Sequence, residues 1–480
     1  MAFEFFEVDS SALATSKHCR LDQKYTSFTQ VKDWKVFETD LKQLKLSNFL
    51  EELPIKKYTK GELEDGFYLV NISDQQQRYG ELENVEIVDE IGSDKNCLSG
   101  ADIIISKLGM PKGYIFLNTF KDKDVLGSTE FIPYKIRDQK FAIYLKYILL
   151  HPKSLKAYEA LESGKTPSHK RVNPYEFLKI QIPLPTNPNQ IVAQIEPIEC
   201  KIKDLRSQIK KPQEVINKVF AREFGFDENL YNEFGKGMTA GTQIADNRTL
   251  RVFETDFAGL ARSEIFRFST RYHNPPTKKL MEILDGIETV KVVNVLSETI
   301  HRGASPKYDE NGSIPVVKTG HLKNGYIEIS QDEFVDGLFH KSSTRSQVKS
   351  GDILIASTGK VSLGKIDLVE TDEDLVADGH LSILRIDEKK YNRLFLVYFF
   401  RCVLGYFQIE RDFTGATNQI ELYANEIGNF LIPNLSPSHQ QKIVDEIKLE
   451  LDAQELIKKQ IESERQKIDA IIEQAISLRG

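Results

Sequence analysis

Two stretches of the chain carry apolar residues at alternating spacings of three and four, the pattern of helices that pack along a narrow seam. One stretch follows Asn187-Pro188 and the other follows Ser436-Pro437, in each case a capping side chain before a proline suited to the first helical position. The seam residues that we assign are Ile195, Ile202, Leu205, Ile209, Ile216, Ile447, Ile457, Ile461, Ile468 and Ile471.

These stretches predict helices over 187–224 and 436–480. Pro197 and Pro212 should kink the first helix because each removes a backbone donor. In the second helix, Gln454 and Glu464 interrupt the seam with polar side chains. Two long helices with apolar stripes most simply bury those stripes against each other, so we hypothesise an antiparallel pair. Packing of each helix on its own lobe is the alternative.

The remaining pattern is one of short apolar segments punctuated by Gly and Asn, which predicts short strands and turns. In the C-terminal half the predicted strands lie at 314–318, 326–329, 352–357, 365–369 and 381–386. Strands of this length, mixed with a few helices, indicate a mixed lobe with a curved sheet. They do not indicate a doubly wound nucleotide-binding fold.

The chain is an internal duplication with an offset of about 250 residues. Residues 6–25 align without gaps on residues 253–272, with eight identities in twenty positions. Farther along, Asp102-Ile103-Ile104-Ile105 matches Asp352-Ile353-Leu354-Ile355. Each copy then reaches a loop that begins with Gly, at Gly164 and Gly415, and a short strand ending in Ile-Pro. A repeated sequence predicts a repeated structure.

Together these patterns predict an α+β protein: two pseudo-repeated mixed α/β lobes joined by a pair of long antiparallel, coiled-coil-like helices. The predicted boundaries are a first lobe at 1–186, a central spacer helix at 187–224 and a linker at 225–251. A second lobe at 252–435 and a C-terminal spacer helix at 436–480 complete the chain.

Composition narrows the class of protein. The 480 residues, 40% of them hydrophobic, can build two large lobes, and no apolar run approaches the roughly 20 residues that span a bilayer. No secretory signal is readable, and the four cysteines form no CxxC pair, so we expect a cytoplasmic protein with reduced thiols and no membrane partner. A net charge of −7 argues against nonspecific coating of nucleic acid, although it leaves room for local basic faces.

Basic residues cluster in loops at matching places of the two copies. Such loops suit DNA, because Lys and Arg hold phosphates while Arg, Asn and Gln pair with base edges. Ordinary solvated loops are the alternative for any single window. The candidate DNA contacts are Lys107, Lys112, Lys165, Thr166, Ser168, His169, Lys170, Arg171, Arg302, Lys307, Lys318, Lys341, Arg345, Lys360, Thr417, Asn418 and Gln419.

Three strings resemble catalytic motifs and fail on inspection. Residues 359–365 have the spacing of a phosphate-binding loop, but Ile366 stands where Ser or Thr should bind magnesium, and strand-like sequence follows. Asn274-Pro275-Pro276-Thr277 resembles an adenine-methylase signature but lacks its aromatic residue. Glu446-Ile447-Lys448 lies in a helical charge pattern. We assign no catalytic residue, no metal ligand and no cofactor to this chain.

The whole chain resembles the DNA-specificity (S) subunits of type I restriction-modification systems. The resemblance rests on the twofold order of lobe and long helix, on residues 351–359, on the loop 415–419, and on Ile432-Pro433 leading to residues 440–444. The first lobe matches the pattern more loosely, since Lys107-Leu108-Gly109 stands where the second copy has Ser357-Thr358-Gly359.

In that family each lobe is a target recognition domain for one half of a split DNA site, and the helices form a spacer that docks methyltransferase subunits. The resemblance therefore implies double-stranded DNA, two DNA adenine methyltransferase (M) subunits and, through the complex, restriction/translocase (R) subunits as partners. S-adenosylmethionine, ATP and Mg would be bound by those partners. Two alternatives stay open: a DNA-modifying enzyme (adenine methyltransferase or nuclease) with an unrecognised site, and a coiled-coil scaffold that binds proteins.

Overall fold

A computed structural model describes residues 22–83, 85–121, 123–164, 169–227, 230, 269–273, 275–330, 332–415 and 420–477. Two compact units make up the chain. The first takes in the described residues up to Gln208 together with those from Ile457 onward, and the second runs from Ile209 to Leu456. Each unit contains sheets and helices, which confirms the predicted α+β class with two mixed lobes.

The first unit holds a four-stranded and a five-stranded sheet together with two pairs of short strands. The four-stranded sheet has the order Leu50–Glu52, Phe131–Ile136, Ile103–Ser106, Ile115–Leu117. The five-stranded sheet has the order Lys57–Tyr58, Lys95–Cys97, Val125–Ser128, Gly61–Val70, Glu86–Ile91. The pairs are Gln43–Lys45 with Gln181–Pro183 and Glu162–Ser163 with Arg171–Val172.

The second unit repeats this arrangement. One four-stranded sheet has the order His301–Arg302, Leu381–Leu384, Ile353–Ala356, Ile366–Leu368. The other has the order Phe334–Val335, Ile314–Val317, Leu375–Ala377, Gln347–Val348, and the pair Thr289–Lys291 with Leu431–Pro433 stands apart. Four of the five predicted strands are present, whereas 326–329 forms only an isolated bridge between Leu322 and Ile327.

The two copies share their strand register. Ile103 to Ser106 pair with Tyr134 to Phe131 in the first unit, and Ile353 to Ala356 pair with Leu384 to Leu381 in the second. Every residue of this ladder has its counterpart 250 positions later. Corresponding strands of the two units are also paired in parallel, Leu69 with Leu126 and Val316 with Val376. The duplication predicted from the sequence is therefore a duplication of topology.

A buried carboxylate at the start of the strand Ile103–Ser106 or Ile353–Ala356 is paired with cations in each copy. Asp102 lies 2.8 Å from Lys121 and 3.7 Å from Lys135, and Asp352 accepts from Arg385 at 2.9 Å. Asp102 and Lys135 correspond to Asp352 and Arg385 at an offset of 250 residues. Pairing a buried carboxylate with a cation compensates part of its desolvation, so the copies solve the same problem with the same charges.

Both units also contain helices. Those of the first unit are Gln23–Thr26, Ala142–Leu150, Pro152–Leu161, Pro174–Phe177 and Pro188–Ser207, with a π-helical turn at Ser27–Val31 and 3₁₀ turns at Leu46–Asn48, Ile72–Asp74, Met110–Lys112 and Gln139–Phe141. Those of the second are Pro212–Phe224, Thr270–His273, Pro275–Asp285, Gly337–Ser342, Arg393–Arg401, Val403–Asp412 and Ala424–Asn429, with 3₁₀ turns at Val292–Val295, Thr319–His321 and Thr344–Ser346.

The prediction of one kinked central helix was wrong at Pro212. The chain forms two helices there, Pro188–Ser207 and Pro212–Phe224, and Ile209 lies in the break between them. Proline disfavours helical geometry in the residue before it, and Lys211 is extended with ψ of 141°. Pro197, in contrast, lies inside a continuous helix.

The C-terminal helix runs unbroken from Pro437 to Ser477, as predicted. Its N-terminal part belongs to the second unit and its C-terminal part to the first. In the second unit it runs antiparallel to Pro212–Phe224, since Lys210 pairs with Glu450 while Glu223 pairs with His439. In the first unit Lys201 of Pro188–Ser207 pairs with Glu464 at 2.6 Å.

Most of the predicted seam positions are buried, and the buried positions shift near the end of the C-terminal helix. Ile195, Ile202, Ile216, Ile447, Ile461 and Ile468 are buried, while Leu205, Ile209 and Ile457 are half-buried. Ile471 was wrongly assigned: it is half-buried, and its neighbour Ile472 is fully buried. The buried positions advance by four from Ile468 to Ile472 and again to Ile476, so the strict heptad pattern does not persist.

Candidate nucleic-acid interface

Each unit has its own candidate interface. In the first unit it lies between the strand Ile103–Ser106 and the Gly loop that begins at Gly164, and in the second between Ile353–Ala356 and the Gly loop that begins at Gly415. In the first unit the amide of Lys107 donates to the carbonyl of Glu130 at 2.9 Å, and the Val172 amide donates to the carbonyl of Lys107 at 3.0 Å. In the second unit Ser357 makes the same two bonds, from its amide to His380 at 2.9 Å and from Leu422 to its carbonyl at 2.9 Å. The backbone frame is thus equivalent in both copies.

Each Gly loop leaves this frame through a glycine with positive φ. Gly164 has φ of 139° and Gly415 has φ of 91°, conformations that L side chains rarely adopt. At Gly164 a β-carbon would lie 2.4 Å from the carbonyl oxygen of His169, so the close return of the chain also requires glycine there. Lys165, Thr166 and Ser168 of the first loop, and Thr417, Asn418 and Gln419 of the second, lie outside the described residues.

In the first unit the far side of the loop is held by charge. The Arg171 guanidinium donates to both Glu130 carboxylate oxygens at 2.8 to 3.0 Å, and the Lys107 ammonium lies 3.9 Å from the same carboxylate. His169 and Lys170 are exposed beside Arg171, and Lys112 is exposed in the turn Met110–Lys112. The structure thus brings together five predicted contacts at one edge, two of them around Glu130.

In the second unit the side chains at the corresponding positions carry different charges. Glu421, the counterpart of Arg171, accepts from Arg302 at 2.7 Å, and Arg302 also donates to the Gly379 carbonyl at 2.7 Å. The Thr358 hydroxyl hydrogen-bonds the His380 ring nitrogen Nδ1 at 2.7 Å, where the first unit has Leu108 and Glu130. One scaffold therefore presents different chemistry in the two copies.

A cleft of about 670 Å³ opens next to this edge in the second unit. Its lining includes Ser305, Tyr308, Lys318, His321, Asp378 and His380. Burial alone would lower the pKa of Lys318, but its bonds to Glu333 and Tyr308 raise that pKa, so the ammonium stays charged. Burial raises the pKa of the Asp378 carboxyl. The cleft combines a fixed cation, an aromatic ring and two imidazoles, groups that suit phosphate and base contacts.

In the part of the chain that the structure describes, the other predicted cations of the second unit are not held in ion pairs as Arg302 and Lys318 are. Lys307, Lys341 and Arg345 are exposed, and Lys360 is half-buried. None of the four makes a hydrogen bond or an ion pair with a described residue. Lys341 ends the helix Gly337–Ser342 and Arg345 lies in the following 3₁₀ turn, so these residues are held on short helices where open loops were predicted. A role of any of these residues in DNA binding stays a prediction.

His321, Tyr308 and Ser305 were missing from the predicted contacts. Their sequence neighbourhood, residues 301–323, was marked as basic, but only the strand pairing of Ile314–Val317 with Leu375–Ala377 brings His321 beside His380 in one cleft. The motif Asp378-Gly379-His380 was the only signal available in the sequence, and it indicated a turn.

The strings that resembled catalytic motifs have noncatalytic surroundings where they are described. The strand Ile366–Leu368 follows Lys365, so the phosphate-loop spacing does not open a helix, as expected. Glu446 pairs with Arg222 on the helix surface. Within the described ranges, no group of three or more His, Cys, Asp or Glu side chains is arranged to hold a metal ion. None of the described helices is long and apolar enough to cross a bilayer.

Comparison with known proteins gives weak likenesses. No protein-family model matches the chain, and no curated protein matches it. A chain from a structure of the assembly and conformational transition of the type I R-M system is similar over 92% of this chain and 99% of that one, with a TM-score of 0.41 and 16% identity.

Two further solved structures give similar values. The type I restriction-modification S subunit from M. genitalium matches over 92% of this chain and 98% of that one, with a TM-score of 0.37 and 15% identity. The HsdS subunit from Thermoanaerobacter tengcongensis matches over 91% and 96%, with a TM-score of 0.32 and 14% identity. Likenesses of this low identity and TM-score do not establish a family, so the chain's own repeats and geometry have to support its function.

Proposed function

We propose that this chain is a DNA-specificity subunit of a type I restriction-modification complex. In this function each unit reads one block of a bipartite, asymmetric target in double-stranded DNA. The chain itself carries out no chemistry, and directs methyltransferase and restriction subunits to the site.

The observation that carries the proposal is that the two units share the same backbone hydrogen bonds at this edge but have different side chains there. Lys107 and Ser357 make the same two backbone bonds at equivalent positions, but Arg171 and Glu421 beside them carry opposite charges. A duplicated enzyme would have reason to retain the same reactive groups in both copies. A duplicated reader has reason to diverge at its contact edge, because each half must recognise different bases.

Charge supports DNA as the ligand of these edges. Lys112 and Lys170 in the first unit and Lys307, Lys341 and Arg345 in the second are exposed cations, although the whole chain carries a net charge of −7. Cations that stay hydrated and mobile can neutralise phosphates, while the paired Arg171 and Arg302 hold the loops in place.

The partners follow as part of the proposal. We assign two DNA adenine methyltransferase subunits to the spacer helices and restriction/translocase subunits to the assembled complex, which acts in the cytoplasm. S-adenosylmethionine, ATP and Mg belong to those subunits, and this chain is expected to bind none of them.

Two experiments test the proposal. The purified chain is incubated with DNA and labelled S-adenosylmethionine, with and without an adenine methyltransferase encoded beside its gene. Methyl transfer is expected only with the partner, and transfer by the chain alone would refute the noncatalytic role. Genome-wide methylation mapping of cells with and without the gene is expected to show loss of one split motif. Unchanged methylation would favour the protein-binding scaffold.

A further inference from the structure

A cavity of about 220 Å³ with several charged side chains in its lining lies within the first unit. It is enclosed by the segment around Arg78, the helix Ala142–Leu150, the helix Pro188–Ser207 and the C-terminal helix. Its lining carries four cations, Arg78, Lys146, Lys203 and Arg465, against three carboxylates, Glu81, Glu199 and Asp469.

The carboxylates of the cavity are already engaged. The Lys146 ammonium, 4% exposed, lies 2.9 Å from Glu81 and 2.7 Å from Glu199, and the Tyr147 hydroxyl also donates to Glu199. Asp469 accepts from Arg78 at 3.2 Å. Burial raises the pKa of the Asp469 carboxyl to about 6, against the opposing effect of Arg78.

The guanidinium groups, in contrast, are not fully satisfied. Arg465 makes no hydrogen bond or ion pair with any residue in the described part of the chain. Burial lowers its pKa, and so does repulsion from Arg206 and Arg78, whereas attraction to Glu462 opposes that shift. The buried Nε of Arg78 and Nη1 of Arg206 also lack a hydrogen-bond partner among the described residues. Arg206 stacks 3.2 Å above the ring of Tyr79, which lines the cavity, and so its guanidinium is held in place.

Arg78 and Arg465 line this space, and Arg206 stacks on Tyr79 in its wall, so the three guanidinium groups form a favourable environment for an anion. A buried donor without a partner, such as Nε of Arg78, destabilises the fold, and a ligand oxygen that accepts from it removes that penalty. The planar fork of arginine matches the oxygens of phosphate in particular. The volume is below the roughly 300 Å³ at which pockets for larger ligands begin, which restricts the ligand to a small molecule.

We propose that this cavity is a binding site for a small phosphate-class anion, with Arg465 as its principal ligand and Arg78 as a second donor. This proposal does not depend on the function proposed above. Occupation of the cavity would join the C-terminal helix to the segment around Arg78, and so would stabilise the first unit.

The only tryptophan of the chain, Trp34, makes the experiment specific to this unit. Trp34 belongs to the first unit and contacts Tyr25 and Phe28 edge to face, so its fluorescence reports unfolding of that unit. Thermal unfolding of the full chain is followed at Trp34 in inorganic phosphate and in sodium chloride of equal ionic strength. At a phosphate concentration about 100 times the dissociation constant, we expect the midpoint to rise by about 5 °C.

The variant Arg465→Gln should lose that rise, whereas Lys459→Gln should keep it. Lys459 is an exposed cation of the same helix outside the cavity lining, so its loss controls for net charge. Equal midpoints in phosphate and chloride would overturn the proposal, and so would a full phosphate effect in Arg465→Gln. Should Arg465→Gln fail to fold, Arg465→Lys replaces it. Lysine keeps the charge without the fork, so phosphate affinity measured by calorimetry should fall about tenfold. Unchanged affinity in that variant would overturn the proposal.

Discussion

At the scale of single residues, His151 shows how a polar side chain can be buried for a structural reason. Its side chain is 3% exposed and caps the helix Pro152–Leu161, where Nδ1 accepts from the Lys153 amide at 3.2 Å. An accepting Nδ1 requires the neutral ring. Burial lowers the pKa of His151 to about 4, with Lys153 and Arg78 adding to the shift and Glu473 opposing it.

Acid should therefore destabilise the first unit through His151. Between its ordinary pKa near 6.5 and the folded value near 4, the unfolded chain binds a proton that the folded chain does not. Stability is complete above pH 6.5 and falls as the pH drops toward 4, by about 3 kcal/mol. His151→Asn, which retains a capping oxygen that does not titrate, should flatten this part of the profile. Urea unfolding followed at Trp34 measures it, and coincident profiles would contradict the assignment.

A second prediction at this scale concerns phosphate contacts. Lys341→Ala should weaken binding to every DNA sequence and reduce the slope of log affinity against log salt by about 1, because one phosphate contact is lost. Fluorescence anisotropy with specific and unrelated duplexes at several salt concentrations measures both effects. Lys448→Ala, an exposed lysine on the C-terminal helix, is the matched control. An equal loss in the control would mean that only net charge matters.

At the scale of elements, buried polar residues on the C-terminal helix accept hydrogen bonds from backbone amides near the ends of other helices. Gln440 accepts from the Asn392 amide at 2.7 Å, just before the helix Arg393–Arg401. Gln454 accepts from the Lys210 amide at 2.8 Å, in the break before Pro212. Both glutamines are nearly fully buried. Gln454 interrupts the apolar seam because the helix facing it is interrupted too.

Adjacent isoleucines test the corrected seam. Ile472→Ala should destabilise the first unit by about 3 kcal/mol, because Ile472 is fully buried and its loss leaves a cavity. Ile471→Ala removes the same atoms from a half-buried position and should cost about 1 kcal/mol. Urea unfolding followed at Trp34 gives both values. An equal loss of stability in both variants, or a larger loss in Ile471→Ala, would instead support the regular heptad pattern.

At the scale of the whole molecule, the chain is one topology used twice. The matched registers of Ile103–Ser106 and Ile353–Ala356, and the matched hydroxyl bonds of Tyr144 to Pro183 and Tyr391 to Pro433, persist although most side chains differ. Conserved backbone geometry with divergent contact edges predicts that the two halves of a target are read independently.

Changes in one unit should therefore alter one half-site only. His380→Ala or Asn418→Ala should relax recognition at one position of one half-site, with a loss of about 1–3 kcal/mol in discrimination, and should leave the other half unchanged. Methylation mapping in cells that carry each variant identifies the motif read. Relaxation in both halves would contradict independent reading, and equal loss for all sequences would assign these residues to the DNA backbone.

Much of this organisation was predictable because it rests on local and periodic signals. The duplication, the strands at Ile353–Ala356 and Leu381–Leu384, and the helix Pro437–Ser477 follow from repeats, β-branched runs and the absence of Gly and Pro. Pro212 predicted a kink but not the complete division at Lys211, although the effect of proline on the residue before it is local. The move from Ile471 to Ile472 was not predicted, because it depends on the packing surface opposite, which a single-helix pattern does not contain.

The sequence by itself therefore determined the twofold architecture, the element order and the regions where charge gathers, since periodicity and repeats act over short spans of chain. Only the tertiary structure decided which charges remain available. It pairs Arg171 with Glu130 and Arg302 with Glu421, leaves Lys341 exposed, and gathers Arg78, Arg206 and Arg465 from three distant segments. Charge compensation depends on distance in space, and residues far apart in sequence acquire that proximity only when the chain folds.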